Sequence, residues 1–127
     1  FILGLAGMYL LGAFPEPCFY LIWLAPFFVL YPIIQSATGT PPFPELEKGD
    51  HTNLFTLALA ALICGFFWEM WNYWSLPKWH YQVPYVHRFL VFEMPVVGFG
   101  GYRPFGPICW CFWLAFKGLL EPRMDTD

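Results

Sequence analysis

Long apolar runs, separated by short polar or proline-rich breaks, make up most of the chain. The apolar segments cover about residues 1–13, 18–34, 53–75 and 89–120, and the stretches 35–52 and 76–88 between them have the composition of loops. A helix rises about 1.5 Å per residue, so roughly 20 apolar residues cross a hydrocarbon core of about 30 Å. The pattern predicts an all-α integral membrane helical bundle, a single transmembrane domain with three to four membrane segments.

The first three segments are predicted to be helices, and they differ in how well they suit a membrane span. Segment 53–75 contains no proline and is the best candidate for a membrane span, with aromatic rings concentrated at its end as in the interfacial belts of membrane helices. Segment 18–34 is barely long enough to cross, and we expect Pro26 to kink it and Pro32 to mark its exit. Segment 1–13 ends at a Phe-Pro-Glu-Pro turn.

Segment 89–120 is too rich in glycine and proline for one straight helix. Irregular backbone at membrane depth is tolerated only where protein or a watery cavity satisfies its polar groups. We therefore expect this segment to be broken near residues 98–106, with Pro107 opening a final helix. Lys and Arg counts in the loops on the two sides are too similar to set the membrane orientation.

Composition supports a membrane environment and excludes other classes. The 127 residues are 58% hydrophobic, 23% aromatic and 12% charged, whereas soluble domains are about half apolar and a quarter charged. The few bases are scattered, which excludes a nucleic-acid partner. The four cysteines have neither disulfide nor zinc spacing, so we interpret them as small buried apolar side chains and predict no metal site. The chain starts at Phe1 inside an apolar run, which is typical of a fragment.

One face of the 53–75 helix changes from small to polar along its length. The residues that share this face, at spacings of three and four, are Ala58, Ala61, Gly65, Glu69 and Asn72. Small residues let membrane helices approach closely, so this face predicts a helix-packing stripe whose polar end meets a partner. Glu69 lies deep enough that we expect its carboxyl group to be neutral or partnered.

The remaining charges near the glycine-rich break suggest a polar cluster. Glu93 precedes Pro95, and Arg103 precedes Pro104, so Glu69, Glu93 and Arg103 are expected to come together, with Asn72 beside Glu69. Three interpretations are open: a structural salt bridge, a proton-handling or catalytic pair formed by Glu69 and Glu93, or a polar anchor for the head of a ligand.

Two histidines in loop 76–88 are weaker candidates. His80 and His87 are seven residues apart, and either could ligate a metal ion or the central metal of a tetrapyrrole, with the rings of Trp79, Tyr81 and Tyr85 stacking beside it. The alternative is that both are amphipathic side chains at the membrane interface. The run GFGGYRPFG lacks the preceding strand and the terminal Gly-Lys-Ser/Thr of a phosphate-binding loop.

The stretch from Trp68 to Gly106 resembles a pattern found in poorly characterised bacterial multi-pass membrane proteins, a family with no established activity. The pattern consists of the motifs WE-x-WNYW at 68–74, KW-x-Y-x-VP at 78–84, FEMP at 92–95 and GY-x-PFG at 101–106. The relatives follow PFG with an acidic residue, where this chain has Ile108 after Pro107. The resemblance implies the bacterial inner (cytoplasmic) membrane and no mechanism.

These observations leave two main hypotheses for function. The first is a helical membrane subunit of a larger complex, such as a photosynthetic or respiratory one, that packs against other subunits, the lipid bilayer and apolar cofactors such as pigment, quinone or lipid; the aromatic residues supply rigid contact area. The alternative is a membrane enzyme of lipid or isoprenoid metabolism with Glu69 and Glu93 as acid and base. A transporter is disfavoured because so few spans do not form inverted repeats.

Overall fold

The computed structural model describes residues 1–82 and 88–120. Five α-helices occupy most of this part of the chain: α1 (Ile2–Ala13), α2 (Pro15–Cys18), α3 (Leu21–Thr38), α4 (Thr52–Trp74) and α5 (Tyr102–Leu120). Two short strands, β1 (Leu90–Val91) and β2 (Met94–Pro95), pair antiparallel, and 3₁₀ turns cover Pro44–Lys48 and Val96–Gly101. The protein is mostly helical.

Two of the described helices, α3 and α4, are long and apolar enough to cross a membrane by length and composition. Only 11% of the apolar stretch of each is buried inside the protein. Large apolar side chains along α4 instead point outward, among them Phe55, Leu59 and Ile63. At its end Trp71 and Trp74 are exposed as well.

Small residues set the distances between neighbouring helices. Gly4 of α1 lies so close to α3 that a Cβ there would meet Val29 Cγ2 at 2.7 Å, and a Cβ at Gly7 would lie 3.1 Å from Ala25 Cβ. Helix α3 in turn packs against α5, and α5 against α4. The helices therefore contact one another in the order α1, α3, α5, α4, with glycines where two backbones approach most closely.

The buried apolar centre lies where the loop after α3 meets α5. Phe43 and Cys111 are fully buried and Ile34 nearly so. The indole N–H of Trp110 donates a hydrogen bond of 3.0 Å to the Pro42 carbonyl, which fixes the loop against α5. The Pro42 carbonyl is thus satisfied where the loop packs against α5.

Helix α3 departs from the sequence-based expectation at both ends. It begins at Leu21 and continues through Pro32 to Thr38, so Pro32 does not mark its exit. The helix ends at Gly39, whose φ of 73° is left-handed and whose N–H bonds to the Gln35 carbonyl. A glycine in this conformation is a common helix terminus, and it rather than the proline stops the helix.

The segment 89–120 also differs from the prediction, because its first part is not helical. The β1–β2 pair and the 3₁₀ turn take up residues 90–101, so the expectation of an all-α chain is wrong for this short stretch. Helix α5 starts at Tyr102 rather than at Pro107, which lies inside its second turn. The break near 98–106 therefore ends earlier than expected.

Candidate functional site

Glu69 is the most deeply buried acidic side chain among the described residues, with 0% of its surface exposed. Its Oε1 accepts two hydrogen bonds, from the Tyr102 hydroxyl at 2.6 Å and from the Tyr81 hydroxyl at 2.7 Å. Its Oε2 is buried without a hydrogen-bond partner in the described part of the chain. The carboxyl group is therefore partnered by phenols from two other elements, and one of its oxygens keeps unused hydrogen-bonding capacity.

Tyr81 connects Glu69 to the loop that follows α4. The Trp79 indole N–H donates to the Tyr81 hydroxyl at 2.7 Å, and that hydroxyl donates onward to Glu69. Burial and the hydrogen bond to Glu69 raise the pKa of Tyr81 to about 12. Tyr81 consequently remains a hydrogen-bond donor at neutral pH, and the chain of donors ends on the carboxyl group.

The side chain of Asn72, three residues after Glu69 on α4, binds the backbone of the same loop. It is 2% exposed, and its amide both donates to the Trp79 carbonyl at 3.0 Å and accepts from the Trp79 N–H at 2.9 Å. This two-point contact satisfies the backbone of a residue outside any helix. It also fixes the loop in which Tyr81 reaches Glu69.

A second polar cluster centres on Glu93. Its Oε1 accepts from Lys78 Nζ at 2.7 Å, and its Oε2 lies 2.9 Å from Nδ1 of His80. The Lys78 ammonium group also lies 4.9 Å from the centre of the Tyr73 ring, within cation–π range. We call Glu93, Lys78 and His80 the Glu93 cluster; it ties the β-hairpin to the loop after α4.

The β-hairpin that carries Glu93 contains two residues with a strained backbone. Phe89 and Phe92 both have left-handed φ angles, 53° and 58°, which bulky residues rarely adopt. The Phe92 ring compensates by packing against Phe66 and Tyr73, with ring centres 5.3 and 5.9 Å away. Such strain persists only where the surroundings fix it, and it concentrates at functional sites.

Acid should weaken the Glu93 cluster. Hydrogen bonds from Lys78 and His80 lower the pKa of Glu93 below its ordinary value of 4.5. A lowered folded-state pKa contributes stability that is present above pH 4.5 and is lost as the pH falls toward the folded value. We expect unfolding of the wild type in detergent to become easier below pH 4.5. In Glu93→Gln this part of the pH dependence should be absent. If the variant lost stability below pH 4.5 as the wild type does, Glu93 would not be the group responsible.

The cluster predicted from Glu69, Glu93 and Arg103 is divided in the structure. Glu69 and Asn72 are neighbours, whereas Glu93 shares no hydrogen-bond partner with Glu69 among the described residues. Arg103 is exposed and forms no ion pair with either acid in the described ranges. Consecutive helical residues point about 100° apart, so when Tyr102 faces Glu69, Arg103 faces away; the expected Arg103 counter-charge is wrong.

The histidine predictions have different outcomes. His87 lies outside the described residues. His80 is 63% exposed at its side chain, and its Nδ1 is engaged by Glu93. Within residues 1–82 and 88–120, no group of three or more His, Cys, Asp or Glu side chains is placed to hold a metal ion. Ligation of a tetrapyrrole by His80 stays a prediction.

The stripe of small residues on α4 packs against α5. A Cβ at Gly65 would lie 2.5 Å from the Tyr102 ring, and a Cβ at Gly106 would meet the Leu57 carbonyl oxygen and lie 3.1 Å from Ala61 Cβ. The packing role expected of Gly65 and Ala61 is therefore realised, with α5 as the partner. The polar end of the stripe meets Tyr81 and Tyr102.

A groove runs along the seam between α4 and α5, which we call the α4/α5 groove. Its volume is about 670 Å³, and Trp23 of α3 closes one side. Apart from Leu57, the lining consists of small and aromatic side chains and two thiols: Trp23, Leu57, Ala60, Ala61, Cys64, Gly65, Trp68, Tyr102, Phe105, Gly106, Cys109, Trp110 and Trp113. Cys64 and Cys109 are exposed, so the prediction of buried cysteines is right for Cys111 and wrong for these two.

Sequence reasoning missed Tyr102 and Lys78 as site residues and treated Tyr81 only as a ring beside the histidines. Tyr102 reaches Glu69 across 33 positions of sequence, so no local spacing indicates the contact. A signal did exist for Lys78, because it is the basic residue that follows α4 most closely.

Compared with protein-family models, with curated proteins and with solved structures, the chain gives no match.

Proposed function

We propose that the protein is a helical membrane subunit of a larger assembly, located in the bacterial inner membrane and packed against lipid, other subunits and an apolar cofactor. One observation carries the proposal: α3 and α4 are long and apolar, yet only 11% of their apolar stretches is buried. A core helix of a soluble protein hides such residues, and water would make their exposure costly at about 25 cal/mol per Å².

The end of α4 supports an orientation across the bilayer. Trp68, Trp71 and Trp74 are exposed at one end of this helix, as in the aromatic belts that sit at membrane interfaces. The Glu93 cluster with its Lys78 ammonium group adjoins that end. The arrangement fits an apolar span that meets headgroups where α4 finishes.

A matched pair of lysine substitutions tests the membrane assignment. Leu59 is 57% exposed in α4, and Leu76 is fully exposed just beyond it. A lysine at the centre of a membrane helix costs about 2.5–3.5 kcal/mol of insertion, and Leu59 lies within about 6 Å of the midpoint of α4. In membranes washed with alkaline carbonate, we expect the wild type and Leu76→Lys to stay in the pellet and Leu59→Lys to be largely lost from it.

A separate preparation from unwashed membranes tests the subunit assignment. The helices contact in the order α1, α3, α5, α4, so broad apolar faces are open to neighbours. Gentle detergent extraction from native membranes should give a species larger than one chain, with other polypeptides present. A monodisperse monomer that needs no detergent would refute both parts of the proposal.

A second candidate is the membrane enzyme of lipid or isoprenoid metabolism. It is favoured by the unpartnered Oε2 of Glu69, because a buried carboxyl oxygen with open capacity can exchange a proton with a bound molecule. The distribution of contacts disfavours Glu93 as the second group of an acid/base pair, since Lys78 and His80 occupy both of its oxygens. Loss of turnover in Glu69→Gln, with the fold retained, would favour this candidate.

A further inference from the structure

We infer that the α4/α5 groove binds the carbonyl-bearing ring of a lipid-soluble molecule of the quinone class. The inference rests on the proposed function, because it names the ligand of that membrane subunit. The groove volume of about 670 Å³ falls within the range of roughly 300–1,000 Å³ typical of small-molecule sites. No charged side chain lines it, so a neutral ligand is required.

The walls of the groove suit a flat ring. Four of the seven tryptophans of the chain line it: Trp23, Trp68, Trp110 and Trp113. Aromatic side chains prefer offset or edge contacts with another ring, and the small residues of α4 between them leave room for one. An aromatic or quinonoid ring uses these surfaces better than a single flexible chain.

Indole N–H groups along the groove favour a ligand that carries hydrogen-bond acceptors. In the described part of the chain the indole N–H groups of Trp23, Trp68 and Trp113 have no hydrogen-bond partner, whereas that of Trp110 is taken by Pro42. An indole is a donor only, and these three side chains are 37–55% exposed, so their N–H groups are available to donate to a ligand. A ligand whose polar groups are carbonyl oxygens can accept hydrogen bonds from these N–H groups, whereas the hydrocarbon tail of an acyl chain cannot.

Tyr102 makes one wall of the groove rigid before any ligand arrives. Its hydroxyl is committed to Glu69 at 2.6 Å, and its ring lies directly over Gly65. The ring therefore has little freedom to collapse into the groove, and a preformed wall reduces the ordering cost of binding.

Binding can be measured by the fluorescence of the full chain in detergent, with decylubiquinone as the probe. We expect saturable quenching, because most of the tryptophans lie in or beside the groove. Ala60→Phe places a ring into the groove from α4 and should weaken the apparent affinity at least about tenfold. Leu59→Phe adds a ring on the neighbouring exposed position outside the lining and should leave the affinity unchanged.

Three outcomes would overturn the inference: quenching that rises linearly without saturation, equal affinities for the two phenylalanine variants, or displacement of the quinone by oleic acid at equal concentration, which would identify a general acyl-chain seam. A chain that stays in carbonate-washed membranes and extracts with partners, but shows no saturable quenching, would refute the quinone site alone. A chain released by carbonate would refute the proposed function itself.

Discussion

Gly106→Ala is expected to lower the free energy of unfolding in detergent by about 3 kcal/mol, at the upper end of the usual cost of overpacking a well-packed contact. The added Cβ would coincide with the Leu57 carbonyl oxygen of α4 and press on Ala61 Cβ. A carbonyl oxygen belongs to the backbone of a helix and cannot rotate away, so α4 and α5 must separate. Alanine favours helix by about 1 kcal/mol over glycine, and the steric cost must exceed that gain.

Gly118→Ala is the matched control, because it makes the same change in the same helix. A Cβ at Gly118 meets nothing within 4 Å. Its stability should be unchanged or raised by up to about 1 kcal/mol, the difference in helix propensity. Unfolding curves in detergent for the wild type and both variants give the comparison; equal stabilities for Gly106→Ala and Gly118→Ala would show that α4 and α5 do not approach at Gly106.

The effect of Gly106→Ala should extend to the hydrogen bond between Tyr102 and Glu69. Tyr102 sits one turn before Gly106 on α5, and its hydroxyl reaches Glu69 on α4. Separation of the two helices by even a few tenths of an ångström lengthens this hydrogen bond. The small residues of the stripe therefore support the site as well as the packing.

Sequence reasoning located α1 and α4 almost completely, and α3 and α5 less well. The predicted 53–75 and the observed Thr52–Trp74 differ by one residue at each end, because no proline interrupts the apolar run. Two predictions based on prolines were wrong: Pro32 and Pro107 were expected at helix ends, but they lie inside α3 and α5. A proline removes one backbone hydrogen bond, and packing between neighbouring helices can offset that cost.

The candidate site was predictable only in part. Helical spacing put Glu69 and Asn72 on one face, and both are buried there. Their partners could not be read from spacing, because Tyr102 arrives from another helix and Tyr81 through a loop whose course depends on the Asn72–Trp79 contact. Opposite charge suggested Arg103 as the partner, but two phenols stabilise a buried carboxyl group without burying a second charge, which would carry its own desolvation cost.

Glu69→Leu is expected to lower the free energy of unfolding in detergent by about 3 kcal/mol, since a buried donor without an acceptor costs about 1–3 kcal/mol. The substitution removes the oxygen that accepts from both Tyr81 and Tyr102. Glu69→Gln is the matched control, because its amide oxygen can still accept both hydrogen bonds while its nitrogen takes the place of Oε2. We expect the Gln variant to lose less than the Leu variant, because it leaves one buried amide nitrogen without an acceptor, at about 1–3 kcal/mol, whereas Leu leaves two hydroxyl donors without one.

Tyr102→Phe in the wild-type and Glu69→Leu backgrounds completes a double-mutant cycle. If the hydroxyl stabilises the fold through Glu69, its removal should be costly in the wild type and nearly neutral, or favourable, in Glu69→Leu, because there it eliminates an unsatisfied donor. Equal costs in the two backgrounds would mean that the phenol and the carboxyl group do not interact. A Leu variant as stable as the Gln variant would likewise leave Glu69 no role as the shared acceptor that joins α4, α5 and the intervening loop.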